Sequence, residues 1–204
     1  NPVSRAARAT ALFLAIIAAP LVATGCLENP FATTKIDTGD ARVDPIPAFD
    51  PVAGSPTGTV PLGLGGTRDG LLYIPASYDP AVPTPLVVLL HGAGSDAAAM
   101  LGTHTAIADT LGVILLGIDS RAYTWDAILA RFSLDPPFIS SALAETARRY
   151  SIDRGRVGLS GFSDGASYAL ALGRANGDIF RTVVAHSPGT TFAVRAVGRP
   201  AFYI

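Results

Sequence analysis

The residues with the clearest chemical potential form the pattern Gly-x-Ser-x-Gly at positions 161–165, with Ser163 at its centre. A short apolar run at 157–159 precedes the pattern, and a helical arrangement of apolar and small residues follows it. Strand, sharp turn and helix in this order are typical of a nucleophile elbow, which projects a serine hydroxyl above the edge of a sheet. Such a hydroxyl attacks carbonyl carbons and can carry an acyl group.

The two glycines and the following helix have separate roles in such a turn. A Cβ at Gly161 or Gly165 would collide with the neighbouring strand and helix, so the pattern requires residues without one. The first N–H groups of the following helix point to the place where an oxyanion would form. Together these features predict acyl transfer through Ser163.

A second element lies upstream of the serine. An uninterrupted apolar run at 86–90, bounded by proline and glycine, predicts a strand buried on both faces. The run ends in a glycine-rich turn, His-Gly-Ala-Gly, at 91–94. Two such turns, each at the end of a strand and separated by a helix–strand–helix stretch, favour a functional site over unrelated loops.

A reactive serine also needs a base to take its proton and an acid to orient that base. The titratable residues after Ser163 that could do so are Asp164, Asp178 and His186. Asp164 lies inside the elbow, where its backbone N–H is the useful group, and Asp178 is predicted at the far end of the following helix. His186 ends a neighbouring strand, near the predicted pocket. We therefore expect a C-terminally truncated chain whose triad acid and histidine follow Ile204.

Candidate pocket residues come mainly from the segment 120–137, which follows a predicted strand and contains several aromatic side chains. Loops at the carboxyl ends of strands build substrate pockets in open α/β sheets. The histidine of the glycine-rich turn is expected to pack and orient that turn, and His104 is expected to lie mid-helix. The candidate pocket residues are His91, Tyr123, Trp125, Phe132 and His186. Ordinary core packing is the alternative for the three aromatic residues.

The remaining pattern alternates strands with helices. A hairpin is predicted at 59–62 and 70–75, and a helix capped by Ser95 or Asp96 is predicted to run to Leu111, where Gly112 stops it. Further helices are predicted at 138–150 and 164–175, and further strands at 113–119, at 180–186 and from 201 onward. The fold class predicted is α/β, with a mostly parallel sheet covered by helices on both faces.

The N-terminal residues predict an export signal over 1–26. Two arginines precede an apolar run at 11–23 that is too short to cross a bilayer comfortably. The run ends in Ala-Thr-Gly-Cys, which resembles a bacterial lipobox with Cys26 as the lipidated residue, and predicts a cell-envelope lipoprotein. Plain secretion and an uncleaved anchor are the alternatives, because lipoboxes favour leucine where Ala23 stands.

Composition limits the other classes of function. A net charge of −1 over 204 residues gives no support for nucleic-acid binding. The single cysteine excludes an internal disulfide framework and a cysteine zinc cluster, and the scattered histidines lack metal-ligand spacing, so no metal or cofactor is expected. Residues 27–58 are rich in Pro, Thr, Asp and Gly and predict a flexible linker, which leaves 59–204 as the folded domain.

Three stretches are similar to α/β-hydrolase esterases: Tyr-Ile-Pro at 73–75, Leu-Leu-His-Gly-Ala-Gly at 89–94 and Leu-Ser-Gly-Phe-Ser-Asp-Gly at 159–165. The chain resembles the phospholipase/carboxylesterase group and the polyhydroxybutyrate-depolymerase and feruloyl-esterase-like proteins, over about residues 60–204. The resemblance implies an α/β-hydrolase fold that lacks its C-terminal strands.

The resemblance also implies roles for individual residues. Ser163 would be the nucleophile, and the backbone N–H groups of Asp164 and of Ala93, or else Gly94, would form the oxyanion hole. Thioesterase-like members carry glutamine where Asp164 stands, so their substrates are not carried over. The function expected is hydrolysis of small-molecule or polymeric carboxylic esters by an exported serine esterase. A peptidase or thioesterase on the same fold, and a surface lipoprotein that binds a ligand without turnover, are the alternatives.

Overall fold

The structure, a computed structural model, describes residues 41–48, 54–129 and 131–204. The predicted export signal, its Cys26 and most of the predicted linker lie outside these residues. Among the helices that are described, none has both the length and the apolar character that a membrane crossing requires.

A sheet of seven strands forms the centre of the described chain. The strands are β1 Gly58–Pro61, β2 Gly70–Ile74, β3 Thr84–Leu90, β4 Ile114–Ile118, β5 Ile152–Phe162, β6 Thr182–His186 and β7 Ala201–Tyr203. Their order is β1-β2-β4-β3-β5-β6-β7, with antiparallel pairing at β1–β2 and β2–β4 and parallel pairing elsewhere. The predicted hairpin and the mostly parallel sheet are confirmed.

The register of the three central strands brings the two predicted functional turns together. Leu90, the last residue of β3, lies opposite Gly161 of β5, and Phe162 at the end of β5 lies opposite His186 of β6. Parallel strands end at the same edge of a sheet. The glycine-rich turn, the serine and His186 therefore share one edge.

The helices of the described chain are α1 Ala97–Gly102, α2 Thr105–Leu111, α3 Asp135–Arg149 and α4 Asp164–Ala175, with a 3₁₀ helix at Asp126–Leu129. Two predicted ends are confirmed. The Asp96 carboxylate accepts the Ala99 N–H at 2.8 Å and caps α1, and Gly112 ends α2 in the left-handed conformation, at φ 62°.

The prediction of one continuous helix up to Leu111 is wrong, because the chain divides at His104. The Met100 carbonyl oxygen, which a continuous helix would pair with the His104 N–H, lies 2.9 Å from the Thr103 hydroxyl and 2.8 Å from His104 Nδ1. The His104 N–H turns to the Leu101 carbonyl instead, at 2.8 Å. Side chains that compete for backbone acceptors in this way interrupt a helix.

Helix α3 begins three residues earlier than predicted. The backbone that leads into it is held by Asp126, whose Oδ2 accepts from the N–H groups of Ser133, Leu134 and Asp135 at 2.7, 2.8 and 3.1 Å. The cap therefore comes from a residue of the preceding 3₁₀ helix, and no pattern within α3 itself indicates it.

Helices cover both faces of the sheet, as predicted. The larger buried cluster includes Ile139 and Leu143 of α3 and Leu172 of α4 packed against central strands. A second cluster on α1, α2 and the sheet consists of Leu89, Leu101, Ala108 and Leu115. All five residues of β4 are buried, as expected for a strand between two helical layers.

Residues 41–48, here called the N-terminal strap, depart from the predicted flexible linker because they pack against the domain. Ala41, Val43 and Ile46 belong to the larger core cluster. The buried Asn176 side chain donates to the Ala41 carbonyl at 2.8 Å and accepts the Val43 N–H at 2.9 Å. Composition alone does not reveal a polar side chain that fixes such a segment.

Candidate active site

Ser163 lies at the junction of β5 and α4 with φ 54° and ψ −118°. A residue other than glycine rarely adopts such a backbone conformation, which costs of order 1–3 kcal/mol and persists only where the surrounding structure enforces it. The Ser163 N–H donates to the His186 carbonyl at 3.0 Å, and its carbonyl accepts the N–H groups of Ala166 and Ser167 at 2.9 and 3.0 Å. These bonds fix the sharp turn predicted from the sequence.

The two glycines of the elbow are required for steric reasons, as predicted. A Cβ at Gly161 would overlap the Gly165 carbonyl group, and a Cβ at Gly165 would overlap the carbonyl oxygens of Leu90 and His91. Helix α4 therefore lies directly against the end of β3. The same contact brings the glycine-rich turn beside the serine.

A cleft of about 600 Å³ opens beside the serine. Ser163 is half-buried on its wall, so its hydroxyl is within reach of a bound molecule. Among the described residues that line it, there is no Asp, Glu, Lys or Arg side chain. The lining residues are Gly92, Ala93, Ser95, Ala99, Met100, Thr103, His104, Phe162, Ser163 and His186.

The glycine-rich turn after β3 is a tight β-turn against the serine. The Ser95 N–H donates to the Gly92 carbonyl at 3.1 Å, and Gly94 has φ 70°. A Cβ on Gly92 would stand 3.4 Å from Ser163 Cβ, so the two backbones are in close approach.

The backbone donors around Ser163 are not equivalent. The Gly94 N–H donates to the Tyr123 carbonyl at 2.8 Å, which removes Gly94 from the candidate oxyanion donors and corrects that expectation. Ala93 lines the cleft. The Asp164 N–H is the first of α4, and the first N–H groups of a helix have no partner within it. The Asp164 carboxylate accepts the Thr124 hydroxyl at 2.7 Å.

His91 is not a pocket residue, because its side chain is completely buried beneath the turn. Its Nε2 accepts the Ser120 N–H at 3.0 Å, which leaves the proton on Nδ1, and Nδ1 donates to the Gly92 carbonyl at 2.7 Å. Burial lowers the pKa of His91 below its ordinary value. The imidazole is therefore a neutral support for the turn, in the orienting role expected from the sequence.

The three aromatic candidates also lie outside the cleft lining. Trp125 is fully buried, donates from Nε1 to the His91 carbonyl at 2.8 Å and stacks on Tyr168 with 5.1 Å between ring centroids. Phe132 is buried against the same Tyr168 ring at 5.8 Å. Tyr123 is 73% exposed, and its ring lies over Gly94. Trp125 and Phe132 are core residues, and Tyr123 covers the outside of the turn.

The candidate acids lie apart from the cleft lining. Asp178, at the far end of α4 as predicted, pairs with Arg42 of the N-terminal strap at 2.6 and 2.8 Å. The Arg42 guanidinium holds the pKa of that carboxyl below its ordinary value. Within the described residues, no group of three His, Cys, Asp or Glu side chains is arranged to hold a metal ion.

Comparison with solved structures identifies the fold that carries this site. No protein-family model matches the sequence, and no curated protein matches it. An S-formylglutathione hydrolase from Staphylococcus aureus superposes with a TM-score of 0.52 at 18% identity, over 68% of this chain and 61% of that one. The chain has the α/β-hydrolase fold.

Other solved structures with this fold are more distant in geometry. An acetyl xylan esterase from Aspergillus awamori matches at a TM-score of 0.48 and 17% identity, over 58% of this chain and 46% of that one. A ferulic acid esterase from Anaeromyces mucronatus matches at 0.47 and 17%, over 77% and 72%. The chain thus spans about half the length of the acetyl xylan esterase.

On this fold, sequence reasoning found the serine and the two turns but missed most of the cleft wall. The wall residues on α1 and at its C-terminal end are Ala99, Met100, Thr103 and His104. The one signal available was their position immediately after the glycine-rich turn, where a helix must return across the edge of the sheet. His104 lines the cleft at the point where the helix divides.

Proposed function

We propose that this protein is a serine esterase that hydrolyses carboxylic esters through an acyl-enzyme on Ser163. The observation that carries the proposal is the backbone of Ser163, held at φ 54° between a strand and a helix, with its side chain on an open cleft. Strain of this size at an accessible serine is typical of functional positions. The distant structural similarities support the fold alone, so the proposed reaction rests on this local geometry.

The reaction follows from the groups around Ser163. A base removes the hydroxyl proton as Oγ attacks the ester carbonyl, and the proton passes to the departing alcohol when the carbon–oxygen bond breaks. Water then attacks the acyl-enzyme and releases the acid. The N–H groups of Ala93 and Asp164 stabilise the tetrahedral oxyanion, and loss of one such donor costs roughly 3 kcal/mol in the transition state.

The composition of the cleft supports neutral, largely apolar esters as substrates. Ala93, Ala99, Met100 and Phe162 contribute apolar surface, and the part of the chain that the structure describes brings no formally charged side chain to the cleft wall. A charged thioester would leave bulk water without an ionic partner among these residues, and a peptide chain would bury polar amide groups against their apolar surface. An uncharged acyl or alkyl group avoids that cost.

The first experiment uses protein expressed from its complete reading frame and short p-nitrophenyl esters. We expect Ser163→Ala to abolish hydrolysis while far-ultraviolet circular dichroism and the unfolding midpoint stay unchanged. Equal rates for the two proteins would refute the proposal. Parallel assays with matched thioester and anilide substrates distinguish an esterase from a thioesterase or peptidase.

We also propose that the protein is exported and anchored to the cell envelope by a lipid on Cys26. Support comes from the apolar run at 11–23 and the Ala-Thr-Gly-Cys motif that ends it. Metabolic labelling with a radioactive fatty acid should mark the wild-type protein and leave Cys26→Ala unlabelled. An unlabelled wild type that appears in the medium would indicate plain secretion instead.

A further inference from the structure

We propose that Arg68 is a positioning residue, which acts through His91 to aim the Ala93 N–H at the cleft. This inference rests on the proposed function, because it concerns the oxyanion site beside Ser163. Arg68 belongs to the loop between β1 and β2, far from Ser163 in sequence and outside the lining of the cleft.

The Arg68 guanidinium connects three segments at the functional edge of the sheet. Its Nε donates to the Ser120 carbonyl at 2.5 Å, and its Nη2 donates to the Ser95 carbonyl at 3.1 Å. Nη2 also lies 3.1 Å from His91 Nε2 and 3.3 Å from the Ser120 hydroxyl. One side chain thus joins the β1–β2 loop to the turns that follow β3 and β4.

The hydrogen-bond partners of this cation are uncharged groups. Arg68 is half-buried, and none of the ion pairs found within the described residues includes it. Its partners are two carbonyl oxygens, a hydroxyl and an imidazole nitrogen. Hydrogen bonds from a charged donor are stronger than neutral ones, so these contacts hold the half-buried guanidinium in one position between the loops.

The contacts of His91 transmit the position of Arg68 to the turn. The Ser120 N–H and Arg68 Nη2 both donate to Nε2, so Nε2 is an acceptor and Nδ1 carries the hydrogen. Nδ1–H then donates to the Gly92 carbonyl at 2.7 Å. The imidazole is clamped between donors on one side and the turn on the other.

The bond to the Gly92 carbonyl controls the Ala93 N–H because both belong to one peptide unit. The described chain contains no cis peptide bond, and in a planar trans peptide the C=O and N–H point in opposite directions. When His91 and the Ser95 N–H hold the Gly92 oxygen beneath the turn, the Ala93 N–H is directed to the other side. Ala93 and Ser163 both line the cleft, so the inference places the Ala93 N–H on the cleft side of the turn.

The test compares Arg68→Ala and Arg68→Lys with Arg149→Ala, in protein from the complete reading frame. Arg149 is the matched control because its Nη1 donates to the carbonyls of Pro61 and Leu62, at 2.8 and 3.2 Å, near the start of the same loop. We expect Arg68→Ala to lower kcat about 100-fold with KM nearly unchanged, since a donor misplaced by about 1 Å costs that much. Arg149→Ala should keep the wild-type kcat.

A second readout separates positioning from loss of structure. A trifluoromethyl ketone forms a bond to Ser163 Oγ, its carbonyl oxygen becomes an oxyanion, and the serine proton passes to the base. A methyl-ether analogue of the same length binds without forming an oxyanion. We expect Arg68→Ala to lower the affinity for the ketone by the same factor as it lowers kcat, and to leave the affinity for the ether unchanged. Arg68→Lys, which keeps the charge but not the planar fork, should recover only part of the loss.

The outcomes distinguish this inference from the proposed function. An inactive Ser163→Ala together with an unaltered Arg68→Ala would overturn the role of Arg68 alone. An equal loss of affinity for the ketone and the ether would also overturn the proposed role of Arg68, because that pattern indicates a general disruption of the cleft. If Arg68→Ala does not fold, the same two inhibitors applied to Arg68→Lys decide the question. Hydrolysis that persists in Ser163→Ala would overturn the proposed function itself.

Discussion

Substitution of Gly165 by alanine tests the packing of the elbow. A Cβ at this position would lie 2.5 Å from the His91 carbonyl oxygen and would overlap that of Leu90 as well. Ordinary contact begins at 3.4 Å, so α4 and the end of β3 must separate by about 1 Å to relieve both overlaps, and neither partner is a flexible side chain. Forced overpacking of this kind costs about 1–3 kcal/mol of unfolding free energy.

The same displacement should affect catalysis more strongly than stability. It separates Ser163 from the turn that carries Ala93, and a misplacement of about 1 Å between reacting groups costs about 100-fold in rate. Urea unfolding can be followed by the fluorescence of Trp125, the one tryptophan of the chain, which is buried beside His91. Ester hydrolysis measured on the same samples gives kcat/KM.

Gly158→Ala is the matched control for Gly165→Ala. Gly158 lies on β5, and a Cβ there would meet Val87 Cγ2 at 3.6 Å and the Thr182 carbonyl at 3.8 Å, which is ordinary contact. We expect unchanged activity and a stability equal to wild type or up to about 1 kcal/mol higher, because alanine is less costly than glycine in a strand. A Gly165→Ala protein within twofold of wild type in rate and equal in stability would refute the close packing of α4 against β3.

Three further predictions follow from other parts of the molecule. Burial raises the pKa of Asp135 from 3.8 to about 6, so the folded state binds this proton more tightly than the unfolded state does. The free energy of unfolding should therefore fall by about 3 kcal/mol as pH rises through that window. Asp135→Asn should flatten the dependence of this free energy on pH in urea titrations from pH 4 to 7, and an unchanged dependence would contradict the prediction. Asn176→Ala removes both side-chain hydrogen bonds to the N-terminal strap and should lower the free energy of unfolding by about 1–3 kcal/mol. Proteolysis at 41–48 should become faster while kcat stays unchanged, and an unchanged rate of proteolysis would contradict the prediction. Met100→Trp narrows the cleft and should raise KM for hexanoyl esters but not for acetyl esters, whereas an equal effect on both would place the acyl group elsewhere.

The elbow could be predicted from the sequence because its constraints are local. A strand, two glycines around a serine and a helix within about twenty residues leave few other conformations, and Gly161, Ser163 and Gly165 take the places expected. The buried strands were equally readable, since uninterrupted apolar runs such as 86–90 are typical of strands covered on both faces. Gly112 could be assigned as a helix end for the same local reason.

The features that sequence reasoning missed depend on partners distant along the chain. Asp126 caps α3 from the preceding 3₁₀ helix, and Asn176 fixes a strap more than 130 residues away. Trp125 was a candidate for the pocket with core packing as the alternative, and it lies in the core, where its indole N–H donates to the His91 carbonyl beneath the turn. The role of Arg68 has no local signature at all, since each of its contacts lies in another loop.

The most direct measurement of the central claim is covalent labelling of the serine. Protein from the complete reading frame is treated with a fluorophosphonate, which phosphonylates activated serine hydroxyls and releases fluoride, and is then analysed by intact-protein and peptide mass spectrometry. We predict one adduct, on the peptide that contains Ser163, with loss of ester hydrolysis in proportion to labelling and no adduct in Ser163→Ala. Hydrolysis that survives complete labelling of Ser163, or an adduct on a different serine that accounts for the loss of activity, would contradict the account.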